Sequence, residues 1–380
     1  MHRFFGGGAA FAALFTWAFT ASADYADPGP VAFKTSALGA VGGATGGFLV
    51  VPTTAGPHPL IIASHGWSAS SDNQLGWAEH FASYGFVVVV PDLPSPFNPD
   101  PTTQKNVIVS LAKSFADPGF SSGAKGKVDG ARIGLEGHSA GGLATSVASA
   151  ELRPRATVLF DPVDKANAGK TAMPKICTPI LSLFAAPGGC NNQGGWAAYK
   201  AQSTGPSIVF DVVGASHCDG ENASRGAACG VFCGGSANAT RQDVHARYAT
   251  AFFLANLKDD TTAAALLTAG ALGADAELSG VSVTAGAPCT GAPPDAGASP
   301  AADAGAPEPG TPSPSGSSSS GNDAGAKGSP GTTPDTNSPV TPSSDGGCAV
   351  ASPSGSPARG AFALGLALAL LGLFGRRTKR

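Results

Sequence analysis

The sequence predicts an α/β fold, a mostly parallel central sheet covered by helices on both faces with no large cap domain, and three observations carry the prediction. From Asp24 to about Gly280, β-rich apolar runs alternate with amphipathic stretches, each bounded by Gly, Pro or Asp. The runs 87–90 and 158–160 lack polar alternation, as strands buried on both faces do. The strand-like segment 132–136 passes through Gly137-His138-Ser139-Ala140-Gly141 directly into a small-residue helix that opens at Gly142-Leu143-Ala144.

The predicted strands are 48–52, 60–64, 86–91, 133–136, 156–161, 180–185 and 208–213. Helices are predicted between them at 73–83, 103–115, 140–151, 195–202 and 243–257. A chain of 380 residues with 42% hydrophobic content can build one large core of this kind, and a second globular domain is not required. Lys and Arg total 23 against 26 Asp and Glu, so no basic footprint points to nucleic acid and no strong field steers a charged partner.

The two ends read differently from the middle. Residues 1–23 carry a basic start (His2, Arg3), an apolar run from Ala9 to Phe19 and the triplet Ala21-Ser22-Ala23, the pattern of a secretory signal cleaved before Asp24. Export makes disulfides the default for Cys177, Cys190, Cys218, Cys229, Cys233 and Cys289, although spacing alone leaves their pairing open. No metal site is expected, because the spacing of His217, Cys218, Cys229 and Cys233 matches no common zinc pattern.

The folded α/β domain is placed at 24–288 and a linker at 289–347. The linker is built from Ala, Gly, Pro, Ser, Thr and Asp, with Val340 its single large aliphatic residue. Such a segment cannot bury enough surface to offset its ordering entropy, and as a coil it spans roughly 40 Å. The end, 348–380, holds Cys348 after Gly347, an apolar stretch 361–374 and the cluster Arg376-Arg377-Thr378-Lys379-Arg380. A short apolar helix before a basic end keeps that end cytoplasmic and everything upstream outside. The order Gly-Cys, apolar segment, Arg-rich end resembles the myxobacterial C-terminal sorting tail. That resemblance implies processing or modification near Cys348 and retention at the cell surface or outer membrane, with the membrane as partner through the tail.

Strand, Gly-x-Ser-x-Gly, helix is the setting of a nucleophile elbow, and in that setting Ser139 is the candidate nucleophile. A serine hydroxyl needs a base, and Ala215-Ser216-His217, directly after the last predicted parallel strand, supplies one. His58, His65, His80, His138 and His245 are read as packing or loop residues. The apolar strand 60–64 ends in His65-Gly66-Trp67, so the backbone amides of Trp67 and Ala140 are the candidate oxyanion donors. In many proteins of this fold the third member, a carboxylate, follows the strand before the histidine strand, yet 186–192 contains no acid. One strand earlier stands Asp161-Pro162-Val163-Asp164, where Asp161 is preferred and Asp164 is the alternative. Asn191, Trp196 and Phe232 are candidates for the rim of an open cleft.

Ser64-His65-Gly66, Gly137-His138-Ser139-Ala140-Gly141-Gly142, Phe160-Asp161-Pro162-Val163-Asp164 and Gly214-Ala215-Ser216-His217 together resemble the chlorophyllase-like branch of the α/β-hydrolases, near the dienelactone-hydrolase and cutinase-like groups. The resemblance runs over about 49–257 and implies Ser139, Asp161 and His217 as a triad, no cofactor, and a monomer acting on a small or polymeric ester. Two alternatives share the residues: a surface binding protein that has lost catalysis, and a thioesterase or peptidase using the same triad.

Overall fold

The computed structural model describes residues 24–191, 199, 203–221, 227–287 and 289–290. The signal-like segment, the linker, the tail with Cys348, Trp196 and all of the predicted helix 195–202 except Tyr199 lie outside the described residues. The described residues all fall within one compact unit, 1–305.

Nine strands form one mixed sheet: β1 (Phe33–Ala37), β2 (Gly47–Pro52), β3 (His58–Ser64), β4 (Val87–Pro91), β5 (Val128–His138), β6 (Ala156–Phe160), β7 (Ile180–Phe184), β8 (Ser207–Val212) and β9 (Leu278–Thr284). Their order is β1-β2-β4-β3-β5-β6-β7-β8-β9. The stretch from β4 to β8 is parallel throughout, and antiparallel strands close both edges. The sequence reading did not anticipate β1 and β9. Both are exposed edge strands, so their polar FKTSA and LSGVSVT carry no buried face to announce them.

The main helices are α1 (Leu75–Ser83), α2 (Pro101–Ala116), α3 (Ser139–Leu152) and α6 (Ala239–Leu257). Short helices α4 (Ala168–Ala172), α5 (Ala227–Cys233), α7 (Thr261–Leu266) and α8 (Ala269–Ala274) were not anticipated, being too brief to show a 3.6-residue period. Asp100 starts α2 by accepting the Thr103 amide at 2.7 Å, with Pro101 already at the helical φ. Only α4 and one further turn (Met173–Lys175) lie between β6 and β7, so no cap domain is inserted there.

Two apolar layers sandwich the sheet. Phe81, Phe86, Phe160, Phe210 and Phe253 pack on the face of α1 and α6, and Leu60, Ile62, Val89, Ile108 and Leu135 on the face of α2 and α3. Each such side chain, fully buried, contributes about 1.5–3 kcal/mol. Gly134 in β5 makes one contact possible: a Cβ there would lie 2.8 Å from Phe253, so only glycine lets α6 lie flat against the strand.

Candidate active site

The parallel strands all deliver their carboxyl ends to one edge, and each end carries a residue of interest. β5 runs into Ser139, whose backbone takes φ +54°, a left-handed conformation that a non-glycine residue holds only when its surroundings impose it. The flanking glycines show what does the imposing. A Cβ on Gly137 would come within 2.4 Å of Thr145 Oγ1, and one on Gly141 within 2.3 Å of the His65 carbonyl oxygen. Strand, turn and helix therefore close up only with hydrogen at both positions.

Asp161 follows β6 with φ +40°, which ends the strand at Phe160, one residue short of the predicted limit. Its carboxylate is buried and accepts from three donors: Oδ2 from His217 Nδ1 at 2.6 Å and from Asn191 Nδ2 at 2.7 Å, Oδ1 from the Ala185 amide at 3.3 Å. A carboxylate can only accept, so the imidazole carries its proton on Nδ1 and turns a lone pair outward on Nε2. That Nε2 lies 2.9 Å from Ser139 Oγ. The structure thus brings Ser139, His217 and Asp161 into one hydrogen-bonded line. Asp164 lies elsewhere, its two oxygens accepting the Gly169 and Lys170 amides at 2.8 and 3.1 Å at the start of α4.

Trp67 and Ala140 flank the serine. Ala140 lies in the first turn of α3, where amides have no partner within the helix. Among the described residues the Trp67 amide donates to no protein acceptor. Gly66 passes so close that a Cβ on it would sit 3.0 Å from Ser139 Cβ. His65 braces this turn: Nδ1 donates to the Gly66 carbonyl and Nε2 accepts the Leu93 amide, both at 2.9 Å. Burial holds its pKa below the usual histidine range, so it stays a neutral strut.

The histidine turn is braced in turn from both sides. His138, the variable residue of the elbow, donates from Nε2 to the His217 carbonyl at 2.9 Å. Burial, reinforced by His217 nearby, holds its pKa far below the ordinary histidine value. Ser216 and Asp219 form a reciprocal cap, and Asp219 Oδ1 accepts the Asn238 amide at 2.6 Å, tying the turn to the start of α6. Gly220 O accepts Trp77 Nε1 at 3.0 Å, and Glu221 Oε2 accepts Asn73 Nδ2 at 2.9 Å. Burial pushes the Glu221 carboxyl above its usual pKa.

Three disulfides are formed: Cys177–Cys289, Cys190–Cys233 and Cys218–Cys229. Cys190, Cys233 and His217 present ligand atoms within 4.8 Å of one another, but both sulfurs are spent in a disulfide and offer no thiolate to a metal. Of the rim candidates, Phe232 is exposed and meets Trp67 edge-on at 5.5 Å between ring centroids, while Trp67 Nε1 donates to the Phe97 carbonyl at 2.9 Å. Asn191 is not on the rim: it is buried beneath it against Asp161, because its amide is needed by the carboxylate and two backbone groups. Sequence reasoning also missed the reach of His138 to His217. The absence of an acid in 186–192 was the one available sign that this loop does something else.

A family model described as chlorophyllase matches residues 40–186, a stretch that holds Gly66, Ser139 and Asp161 and stops short of Asn191 and His217. No curated protein matches the chain. The match suggests an esterase-type hydrolase. With a parallel sheet whose carboxyl edge gathers an elbow serine, an aspartate and a histidine, this chain has the α/β-hydrolase fold and is similar to chlorophyllases over that stretch.

Proposed function

We propose that the protein is an exported carboxylic-ester hydrolase working through an acyl-enzyme, with Ser139 as nucleophile, His217 as general base and Asp161 as the orienting acid. The observation that carries this reading is the line Asp161 Oδ2, His217 Nδ1, His217 Nε2, Ser139 Oγ, with contacts of 2.6 and 2.9 Å. His217 Nε2 takes the hydroxyl proton as Oγ attacks the ester carbonyl carbon, and the carbonyl electron pair moves onto oxygen. The Trp67 and Ala140 amides receive that oxyanion. Collapse breaks the C–O bond to the alcohol, which leaves with the proton from Nε2. Water then repeats the sequence on the acyl-enzyme, returning Ser139 and releasing the acid.

With no cap domain between β6 and β7, and with Trp67 and Phe232 exposed beside the serine, the site suits esters too large for a closed pocket, polymeric ones included. The leader-like start and the disulfides support export, and the basic-ended tail supports retention at the cell surface, with Cys348 as the point of processing or modification. Purified protein is expected to react with a fluorophosphonate probe at Ser139 and to turn over a short-chain nitrophenyl ester. Ser139→Ala should abolish both. A folded Ser139→Ala variant with undiminished turnover would refute the reading.

A further inference from the structure

The loop after β7 holds no acid, yet it has not left the site. Asn191 sits in it, 2% exposed, with both amide N–H groups and its carbonyl oxygen bonded. Nδ2 donates to Asp161 Oδ2 at 2.7 Å and to the Ala186 carbonyl at 3.0 Å, while Oδ1 accepts the Gly188 amide at 2.5 Å. The orientation is fixed by its partners, since a flipped amide would set oxygen against two acceptors and nitrogen against a donor. The oxygen it meets on Asp161 is the same one that accepts from His217.

The loop's position is held from outside. Cys190, the preceding residue, is bonded to Cys233, and the Gly189 amide donates to the Cys233 carbonyl at 2.9 Å. At its start, the Ala186 amide donates to Ala215 O at 3.0 Å, on the chain that leads to His217.

We infer that Asn191 is a positioning residue for the hydrolysis proposed above, acting through Asp161: it holds the carboxylate in the rotamer that meets His217 and adds a side-chain donor to the Ala185 amide that otherwise anchors it. The inference rests on the Ser139–His217–Asp161 reading. The side chain of Asn191 meets the carboxylate of Asp161 and the backbone of its own loop, so its loss appears in the rate of acylation and not in substrate binding.

The test uses the full exported chain with its disulfides intact, a nitrophenyl ester and a fluorophosphonate. Asn191→Ala should lower kcat and the labelling rate roughly 10- to 100-fold, the size of a lost hydrogen bond to a charged group, with KM changed less than about twofold. Asn191→Asp separates positioning from mere loop support. Two carboxyls in contact do not both ionise readily, so the introduced acid keeps its proton to higher pH than a free one, and when protonated it donates as the amide does. The activity of Asn191→Asp relative to wild type should therefore climb as pH falls from 8 to 6.

A pH-independent ratio, or Asn191→Ala with kcat within about threefold of wild type, overturns the inference while leaving the triad in place. Should wild type itself fail to label at Ser139, the triad reading falls and the role of Asn191 with it. If Asn191→Ala does not fold, the near-isosteric Asn191→Asp ratio decides alone.

Discussion

The two halves of this active edge are held by different physics. On the nucleophile side, β3, β5 and α3 lock together through close backbone approach, and the constraint is steric: Gly137 and Gly141 admit no Cβ. On the histidine and acid-loop side close approach recurs, a Cβ on Gly189 falling 2.7 Å from the Cys233 carbonyl oxygen and one on Gly220 2.3 Å from His138 Cδ2, but bonds between distant residues are added to it. There the turn after β8 and the loop after β7 are held by Cys190–Cys233, Cys218–Cys229, the Ser216–Asp219 cap, His138 and Asn191. One side is held by close backbone contact, the other by close contact supplemented with long-range bonds. The comparison predicts that the first fails all at once and the second by degrees.

The largest effect belongs to the first side. Gly141→Val would drive side-chain atoms into the His65 and Ser64 carbonyl oxygens, 2.3 and 2.4 Å from the Cβ position alone. Backbone cannot yield there without separating β3 from α3, so the variant should lose on the order of 3 kcal/mol or more and give no labelled serine. A well-folded, fully active Gly141→Val would break the comparison. Next comes the acid. Asp161→Asn should cost about 10⁴-fold in kcat, because an amide with its oxygen toward Nδ1 and Asn191 sets its NH₂ against the Ala185 amide, while the reversed amide offers donors to both Nδ1–H and Asn191 and favours the wrong tautomer. Asp164→Asn, which disturbs only the start of α4, should leave kcat within a few-fold; the reverse result would move the acid to Asp164.

The disulfides separate stability from activity. Chain entropy ranks them by loop length, about 5, 4 and 3 kcal/mol for separations of 112, 43 and 11 residues. Cys177–Cys289 closes the longest loop but joins the entry to β7, at the amino edge of the sheet, to the segment after β9. Cys177→Ser/Cys289→Ser should therefore lower the melting temperature most and leave kcat at 25 °C nearly unchanged. Cys190→Ser/Cys233→Ser should lower it less while reducing kcat, because the loop bearing Asn191 is released. Equal kcat in both double variants would show that the loop needs no covalent tie.

The same division explains how much could be read in advance. The elbow turn, the strand that leads to Trp67 and the core strands were legible because their determinants are contiguous: a glycine two residues from a serine, four valines in a row. Asp161 was legible only as a strand-end acid beside Asp164; the structure sets Asp161 against His217, while Asp164 accepts amides at the start of α4. The bracing of the histidine side was not legible, since Asn73 meets Glu221 across 148 residues and His138 meets the His217 carbonyl across 79. Asn191 was taken for a rim residue because a polar side chain in a Gly-rich loop looks the same in sequence whether it faces solvent or a carboxylate. Edge strands β1 and β9 went unseen because exposed strands need no apolar pattern.

The smallest effect concerns Glu136, beneath the elbow in β5. It is fully buried, neither carboxyl oxygen has a partner among the described residues, and burial pushes its pKa well above the ordinary value of 4.5. The folded form therefore keeps the proton that the unfolded chain gives up. Its contribution to stability is whole below pH 4.5 and is lost as pH rises toward the folded value. His65, His138 and His245 titrate in the opposite sense: burial lowers their pKa values, so their contribution is whole above pH 6.5 and shrinks as pH falls below it. Glu136→Gln removes one group from this balance without changing its shape. The variant should gain on wild type as pH climbs from 4.5 to 8, by about 2–4 °C for each kcal/mol, while the histidine-driven loss on the acid side persists in both. A melting-temperature difference between the two proteins that stays flat across that range would mean that Glu136 is as well solvated in the folded chain as in the unfolded one, and the close packing under the elbow would have to be looser than its glycines imply.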